Sequence, residues 1–285
     1  MKPMLKYGGG KSKEISNFIN HIPKFTGRYI EPFFGGGALF FHLEPGNAVI
    51  NDINTRLMDF YTAVQQNYPQ LKDELFHLEE LYTANRTAFE ALRKQHPSEK
   101  RVEDANETLY YNLRSMYNRK IKSEYSEAAL YYFINKTAYS GMIRYNSKGE
   151  YNVPYGRYKN FNAQIVTKDH SVLLQRAEIY NVDYKLIFKK SESDDFMFLD
   201  PPYDCVFSDY GNEEYKINGF TEENHRELAF DYRNLNCRAL MVINSTALTR
   251  ELYHKYIVAE YDKKYSINIK NRFQAKAKHL VIKNY

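Results

Sequence analysis

Residues 196–210, FMFLDPPYDCVFSDY, place a carboxylate, two prolines and a phenol in direct succession after an apolar run. Phe196 to Leu199 read as a buried strand that delivers Asp200, Pro201, Pro202 and Tyr203 at its C-terminal end, the edge where ligands gather in open α/β sheets. The prolines fix the backbone and remove two N–H donors, so nearby carbonyls can face outward as acceptors. An acid, a free carbonyl and an aromatic ring held in one rigid turn suit an exocyclic amino group such as N6 of adenine, whose lone pair is delocalised into the ring. The Asp200 carboxylate and the Pro201 carbonyl can accept its two hydrogens and free the lone pair for attack, while Tyr203 stacks on the base. The spelling PPYD also fits a ligand of WW domains, but those favour exposed polyproline segments, and this one leaves an apolar strand.

Two glycine segments compete for a phosphate or nucleotide. LKYGGGKSKEI, residues 5–15, ends like a phosphate-binding loop. It fails that pattern, because Leu5 stands where the first glycine belongs and no full strand precedes it. EPFFGGGALFF, residues 31–41, follows a strand and runs into an apolar helical stretch, so its glycines let a ligand approach the backbone closely. Asp52 ends the next strand, 17 residues after Gly35, placed to accept hydrogen bonds from ribose hydroxyls. The spacing is not GxGxxG, which favours a single nucleoside-like ligand over a dinucleotide; a tight turn with a helix-capping Asp52 is the plainer alternative.

These residues need a scaffold of alternating strands and helices. Strand candidates fall at residues 29–34 and 48–52, and again at 179–184, 196–200, 239–244, 256–261 and 279–285. Between them lie helical stretches such as residues 221–235, with Thr221 as N-cap and acids in its first turn. This alternation predicts an α/β sheet with helices on both faces. The two strand groups are split by a helix-rich block. In residues 71–95, Leu71, Leu75, Leu78, Tyr82, Phe89 and Leu92 recur near helical spacing, and residues 127–139 read as a buried helix. Residues 145–158 then carry a hairpin signal around Ser147-Lys148-Gly149. The expected organisation is an α/β domain over 1–57 and 169–285, with 58–168 inserted as a helical subdomain ending in a basic, aromatic hairpin.

The chain has 285 residues and a net charge of +5, unevenly spread. Residues 263–285 hold seven Lys/Arg and no acid, and residues 134–168 hold six Lys/Arg, six aromatics and Glu150 alone as an acid. Cations interleaved with flat rings are what a nucleic-acid surface needs, although a solvated basic face has the same composition. Two cysteines, Cys205 and Cys237, form no CxxC or Cys/His spacing, which excludes a disulfide framework and a recognisable zinc site. The apolar runs are strand-length and the N-terminus lacks a signal-peptide core, so a soluble protein of the cytoplasm, without membrane contact, is expected.

Taken jointly, the early KYGGGK, then EPFFGGGALFF, NDIN, an insert and DPPY resemble the α class of DNA N6-adenine methyltransferases, and the chain looks like its Dam-type branch. NSKGEYNVPYGRYKN, residues 146–160, is very close to that branch's hairpin segment. The resemblance covers nearly the whole chain. It implies a Rossmann-like sheet of the S-adenosylmethionine-dependent methyltransferases with an inserted target-recognition subdomain, and methyl transfer from S-adenosyl-L-methionine to a flipped adenine in double-stranded DNA. It also allows a cognate restriction endonuclease acting on the same site.

Carried over by position, the resemblance implies cofactor contacts at Tyr7, Lys11, Phe33, Gly35, Gly37 and Asp52, with Asp200 both catalytic and beside the cofactor. Asp183 and Tyr184, ending the preceding strand, would border the cofactor adenine. Tyr139 matches the wedge that fills the gap left by the flipped base, and Arg144 a reader of guanine. Ser140 and Asn146 lie in the same loop and hairpin, Arg157 and Lys159 match phosphate contacts, and Lys6 is in reach of DNA. Ser140 departs from the Asn of GATC-methylating members and is too short to fill the same space, so GATC is not implied as the target. Cytosine N4, RNA adenine or a protein amide are competing acceptors, but those sites more often replace the first residue of DPPY by Ser or Asn. A catalytically silent DNA-binding module is disfavoured by the intact set from Asp200 to Tyr203.

Overall fold

The computed structural model describes residues 1–99, 101–204, 220–263 and 277–285. In chain order they form α1 (Ile15–Phe18), β1 (Tyr29–Glu31), α2 (Ala38–Leu43), β2 (Ala48–Asn51), α3 (Thr55–Gln66), α4 (Tyr68–Gln95), α5 (Ala105–Tyr117), α6 (Glu127–Thr137), α7 (Lys168–Leu174), β3 (Ala177–Tyr180), α8 (Tyr184–Lys189), β4 (Phe196–Leu199), α9 (Glu222–Arg233), β5 (Arg238–Asn244), α10 (Ala247–Tyr253), β6 (Ile257–Lys263) and β7 (Ala277–Lys283). Cys205 and the basic stretch 264–276 lie outside the described residues; Cys237 is a buried free thiol.

The strands make one sheet in the order β3-β2-β1-β4-β5-β7-β6. The first five run parallel, and β7 is antiparallel to both β5 and β6. Every residue of β1, β2 and β4 is buried, as in parallel strands covered on both faces, and the polar exceptions Glu31 and Asn51 stand at the ends of β1 and β2. At the edge, β6 alternates between half-buried and exposed positions. Apolar side chains from both faces of the sheet form two cores. The larger is continuous with the helical block, running from Phe18, Tyr29 and Phe196 through Leu75 and Tyr82 to Tyr110 and Phe161.

Local signals fix the helix starts. Asn54, Ser126 and Thr221 each accept a backbone N–H in the first turn of α3, α6 and α9, and Thr221 forms a reciprocal box with Asn224. In α4, Leu71, Leu75, Leu78 and Tyr82 are buried along one face, whereas Phe89 is half-buried and Leu92 exposed, so its last turns leave the core. No helix among the described residues is long and apolar enough to cross a membrane.

Two sequence expectations need correction. The third strand ends at Tyr180, and Asp183 is instead the N-cap of α8, where its Oδ1 accepts the Lys185 N–H at 2.8 Å. Short polar side chains favour such caps over strand interiors. The hairpin is also sparser than expected, with isolated antiparallel bridges at Tyr145–Tyr151 and Ala138–Tyr155 in place of a continuous ladder. Pro154 has no N–H to contribute, and Asn146 Oδ1 takes the N–H groups of Lys148 and Glu150 into a side-chain turn.

Candidate active site

The strand order reverses at β1, with β2 on one side and β4 on the other, so the C-terminal ends of β1 and β4 open onto the crevice where open α/β sheets bind ligands. From β1 the chain enters the glycine turn. Gly35 and Gly37 have φ of +48° and +63°, a region that side chains with a Cβ rarely adopt. A Cβ on Gly35 would lie 2.8 Å from the Tyr7 ring, so Tyr7 packs directly on the turn. Asp52 Oδ2 accepts the Gly35 N–H at 2.8 Å and its Oδ1 accepts the Asn54 N–H at 3.0 Å. Thus Asp52 holds the glycine turn and opens α3 with one carboxylate. Gly37 precedes α2 without a capping side chain; Glu31, from β1, is a buried carboxyl that accepts the Tyr29 hydroxyl at 2.7 Å. Burial drives the Glu31 pKa well above the usual carboxylate range, and the nearby charges of Asp200 and Asp52 push it the same way.

From β4 the chain enters the Asp200 turn. Lys11, 2% exposed, extends its ammonium to Asp200 Oδ1 and to Tyr203 Oη, each at 2.5 Å, and to the Gly9 carbonyl at 3.2 Å. The early lysine therefore reaches the turn at the end of β4. Asn244, at the end of β5, clamps the exit from this turn: its Oδ1 accepts the Asp204 N–H at 3.2 Å and its Nδ2 donates to the Asp204 carbonyl at 2.8 Å. Thr246 Oγ1 adds a hydrogen bond to Asp204 Oδ2 at 2.6 Å.

These contacts bring most of the expected cofactor and catalytic residues to one edge. Asp52 touches Gly35, Gly35 touches Tyr7, and Lys11 reaches Asp200 and Tyr203. Phe33 and Tyr184 meet with ring centroids 5.3 Å apart. Asp183 is exposed at the start of α8, next to Tyr184. Among the described residues no group of three His, Cys, Asp or Glu side chains is placed to hold a metal ion.

The residues expected to meet DNA form a separate group on the helical block. Tyr139 is 49% exposed, and Ser140 beside it has φ of +55°. Arg144 Nε donates to Asn152 Oδ1 at 2.8 Å, which fixes its exposed guanidinium over the hairpin. Asn146 is engaged in its own turn, Arg157 pairs with Glu107 at 3.1 Å, and Lys159 is exposed. Lys6 is held by Asn135, whose Oδ1 accepts the Lys6 N–H at 2.8 Å and whose Nδ2 donates to the Lys6 carbonyl at 2.7 Å. The Lys6 ammonium donates to the Lys136 carbonyl at 2.9 Å and lies 3.6 Å from the centroid of the Tyr158 ring. Burial, with Lys6 nearby, lowers the Lys136 pKa to about 8.

Sequence reading misses Glu14, Glu31, Asn51, Asn135, Asn244 and His279. Glu31 carried a signal, since a carboxylate inside an apolar strand demands a partner. The asparagines look like ordinary strand or helix residues, and their partners lie far away in the chain.

Residues 7–267 match the D12 class N6 adenine-specific DNA methyltransferase family. The chain is 34% identical to the Type II methyltransferase M.CviBI of Paramecium bursaria Chlorella virus NC1A, over the full length of both. It is 34% identical to the Type II methyltransferase M.MjaIII of Methanocaldococcus jannaschii, over 90% of this chain and 87% of that protein. It is 28% identical to the DNA adenine methylase of Escherichia coli strain K12, over 89% of this chain and 84% of that one. The seven-stranded sheet is the Rossmann-like sheet of the methyltransferase fold. With that sheet, and with an acid-led turn and a glycine turn facing each other across its switch point, the chain belongs to the D12 class of N6 adenine-specific DNA methyltransferases.

Proposed function

We propose that the chain transfers the methyl group of S-adenosyl-L-methionine to N6 of an adenine flipped out of double-stranded DNA. The observation that carries this reading is the Asp200 turn, delivered by β4 opposite the glycine turn of β1 and held by Lys11. S-adenosylmethionine, when bound, supplies an electrophilic methyl group on a positively charged sulfur. The left-handed glycines give a ligand close access to the backbone, Asp52 presents a buried carboxylate beside them, and the Phe33–Tyr184 ring pair offers an apolar wall, a donor set that fits this cofactor. Tyr7 and Lys11 close the same edge, and Asp183 borders it.

The amino nitrogen is activated by the protein's acceptors. Asp200 and the Pro201 carbonyl take the two N6 hydrogens as hydrogen bonds, which draws the lone pair out of conjugation. As N6 gains its methyl group it also gains positive charge, which Asp200 stabilises before taking the surplus proton. Pro202 keeps the turn rigid and Tyr203 stacks on the base.

Residues 58–168 serve as the target-recognition subdomain, and 1–57 with 169–285 as the methyltransferase domain. Tyr139 fills the gap in the duplex, Arg144 reads a guanine, Ser140 and Asn146 shape the loop, and Lys6, Arg157 and Lys159 meet the backbone. The Type II names of two relatives favour a restriction–modification setting, with a cognate endonuclease of the same site as partner and the cytoplasm as compartment.

Asp200→Ala is expected to abolish incorporation of tritiated methyl groups into duplex DNA while DNA affinity in gel shift stays within about threefold, because positioning contacts lie elsewhere. Mass spectrometry of the product nucleosides is expected to give N6-methyladenine. A fully active variant, or N4-methylcytosine as product, refutes the assignment.

A further inference from the structure

Behind the Asp200 turn lies a buried ionic cluster drawn from distant parts of the chain. Glu14, just past Lys11, is 5% exposed. Its Oε2 accepts hydrogen bonds from the Tyr261 hydroxyl at 2.8 Å and from His279 Nδ1 at 2.7 Å, and its Oε1 pairs with Lys263. Tyr261 and Lys263 come from β6, and His279 from the adjacent β7. His279 is fully buried, and burial followed by the charges of Lys11 and Lys263 pushes its pKa down to about 3.

A neutral imidazole facing a carboxylate carries its proton on the nitrogen that faces it. His279 thus donates Nδ1–H to Glu14 and keeps a lone pair on Nε2, which has no hydrogen-bond partner among the described residues. An unpaired polar atom in a fully buried ring is a cost that simple packing does not require; Leu or Phe would fill the space without it. What histidine has and Leu or Phe lack is the Nδ1–H bond to Glu14, which sets the orientation of the ring against its neighbours. The ring packs edge-to-face on Tyr203, with centroids 5.2 Å apart and planes at 73°, and likewise on Tyr261, at 5.6 Å and 71°. Tyr203 is therefore held at its hydroxyl by Lys11 and along its ring by His279, and both holders are rooted in residues 11–14.

We infer that Glu14 and His279 are positioning residues of the methyl-transfer site: Glu14 fixes the imidazole, and the imidazole fixes the plane of the Tyr203 ring on which the target adenine stacks. The inference rests on the stacking role proposed for Tyr203. A ring set before the base arrives spares the ordering cost of an aromatic side chain in a half-buried turn.

The test is a double-mutant cycle in single-turnover methyl transfer on duplex DNA with the full chain. His279→Leu is expected to slow transfer about tenfold, the scale of a small misplacement at a reacting centre. In a Tyr203→Leu background, where the ring is gone, His279→Leu is expected to change the rate by less than about twofold, because its effect passes through the ring. Glu14→Gln, which keeps an acceptor for Nδ1–H, is expected to retain more of the rate than Glu14→Leu. If the leucine variant melts below the assay temperature, His279→Phe keeps a ring against Tyr203 but loses the Nδ1–H bond to Glu14, and it is expected to slow transfer only where Tyr203 is present. Equal slowing in both backgrounds overturns the inference and leaves His279 a structural residue. A Tyr203→Leu protein that is not slowed overturns the stacking role itself, and the inference with it.

Discussion

Lys11 has three ammonium hydrogens and three acceptors: Asp200 Oδ1, Tyr203 Oη and the Gly9 carbonyl. A buried lysine satisfied so fully is a fixed part of the site. It neutralises the Asp200 carboxylate, orients the Tyr203 phenol and ties the first glycine stretch to the far strand. Lys11→Met keeps the stem and removes every donor, leaving Asp200 without its counter-ion. A hydrogen bond to a charged group is worth about 1.5–3 kcal/mol, so S-adenosylmethionine affinity by calorimetry is expected to fall about tenfold or more, with a lower melting temperature. Lys11→Arg is expected to restore little, because a planar fork cannot reproduce the three divergent bonds. Unchanged cofactor affinity in Lys11→Met would confine its role to holding Asp200.

At the C-terminal edge of the sheet, two strands end in an asparagine that holds a loop by side-chain imitation of backbone pairing. Asn51, ending β2, donates to the carbonyls of Pro32 and Val182, each at 3.0 Å, and accepts the Val182 N–H at 2.9 Å. Asn244, ending β5, makes the matching two-bond clamp on Asp204. The loops on both sides of the crevice are thus pinned from neighbouring strands. Asn244→Ala removes the clamp at the exit of the Asp200 turn and is expected to cost about 1–2 kcal/mol, a drop of a few degrees in melting temperature. Methyl transfer is expected to slow by more than DNA binding weakens, measured by single-turnover rates and fluorescence anisotropy. A lower melting temperature with an unchanged rate would make the clamp purely structural. The strands that carry these loops were legible in the sequence, because buried parallel strands are apolar runs bounded by turn residues. The Asp200 turn and the glycine turn were legible for the same local reason. Asp183 was not, since an acid after an apolar run reads equally as a strand end or a helix cap. The partners of Asn51 and Asn244 were also hidden, and so was the bond between Glu14 and His279, 265 residues apart.

The proposed cofactor edge and the loop proposed to meet DNA are joined through Lys6 in the N-terminal segment. Asn135, 4% exposed near the end of α6, pairs with both the N–H and the carbonyl of Lys6. A Cβ on Gly141, in the loop that follows α6, would lie 3.0 Å from the Lys6 side chain, so the loop carrying Tyr139 packs against the same residue. The next residue, Tyr7, packs on the glycine turn, and Lys11 ends on Asp200. Residues 6–11 therefore form a short strap between the two groups, engaged at Lys6, Tyr7 and Lys11 with Gly8 and Gly10 exposed, and lying against a core that runs without a break from the sheet into the helical block. Whatever orders the glycine turn and Lys11 also orders the strap, and the strap is bonded to the helix that presents Tyr139. Cofactor and DNA should then bind with positive coupling, equal in both directions by linkage. Coupling free energies of this kind are typically about 1–3 kcal/mol, so S-adenosylhomocysteine is expected to tighten binding of a labelled duplex by about 5–150-fold. Asn135→Leu fills the same volume but cuts both bonds to Lys6. It is expected to bring the ratio of duplex affinities, with and without S-adenosylhomocysteine, close to one, while affinity without the cofactor product changes little. A ratio that stays at the wild-type value would show that the strap transmits nothing, and that any coupling runs through the Asp200 turn or the bound DNA.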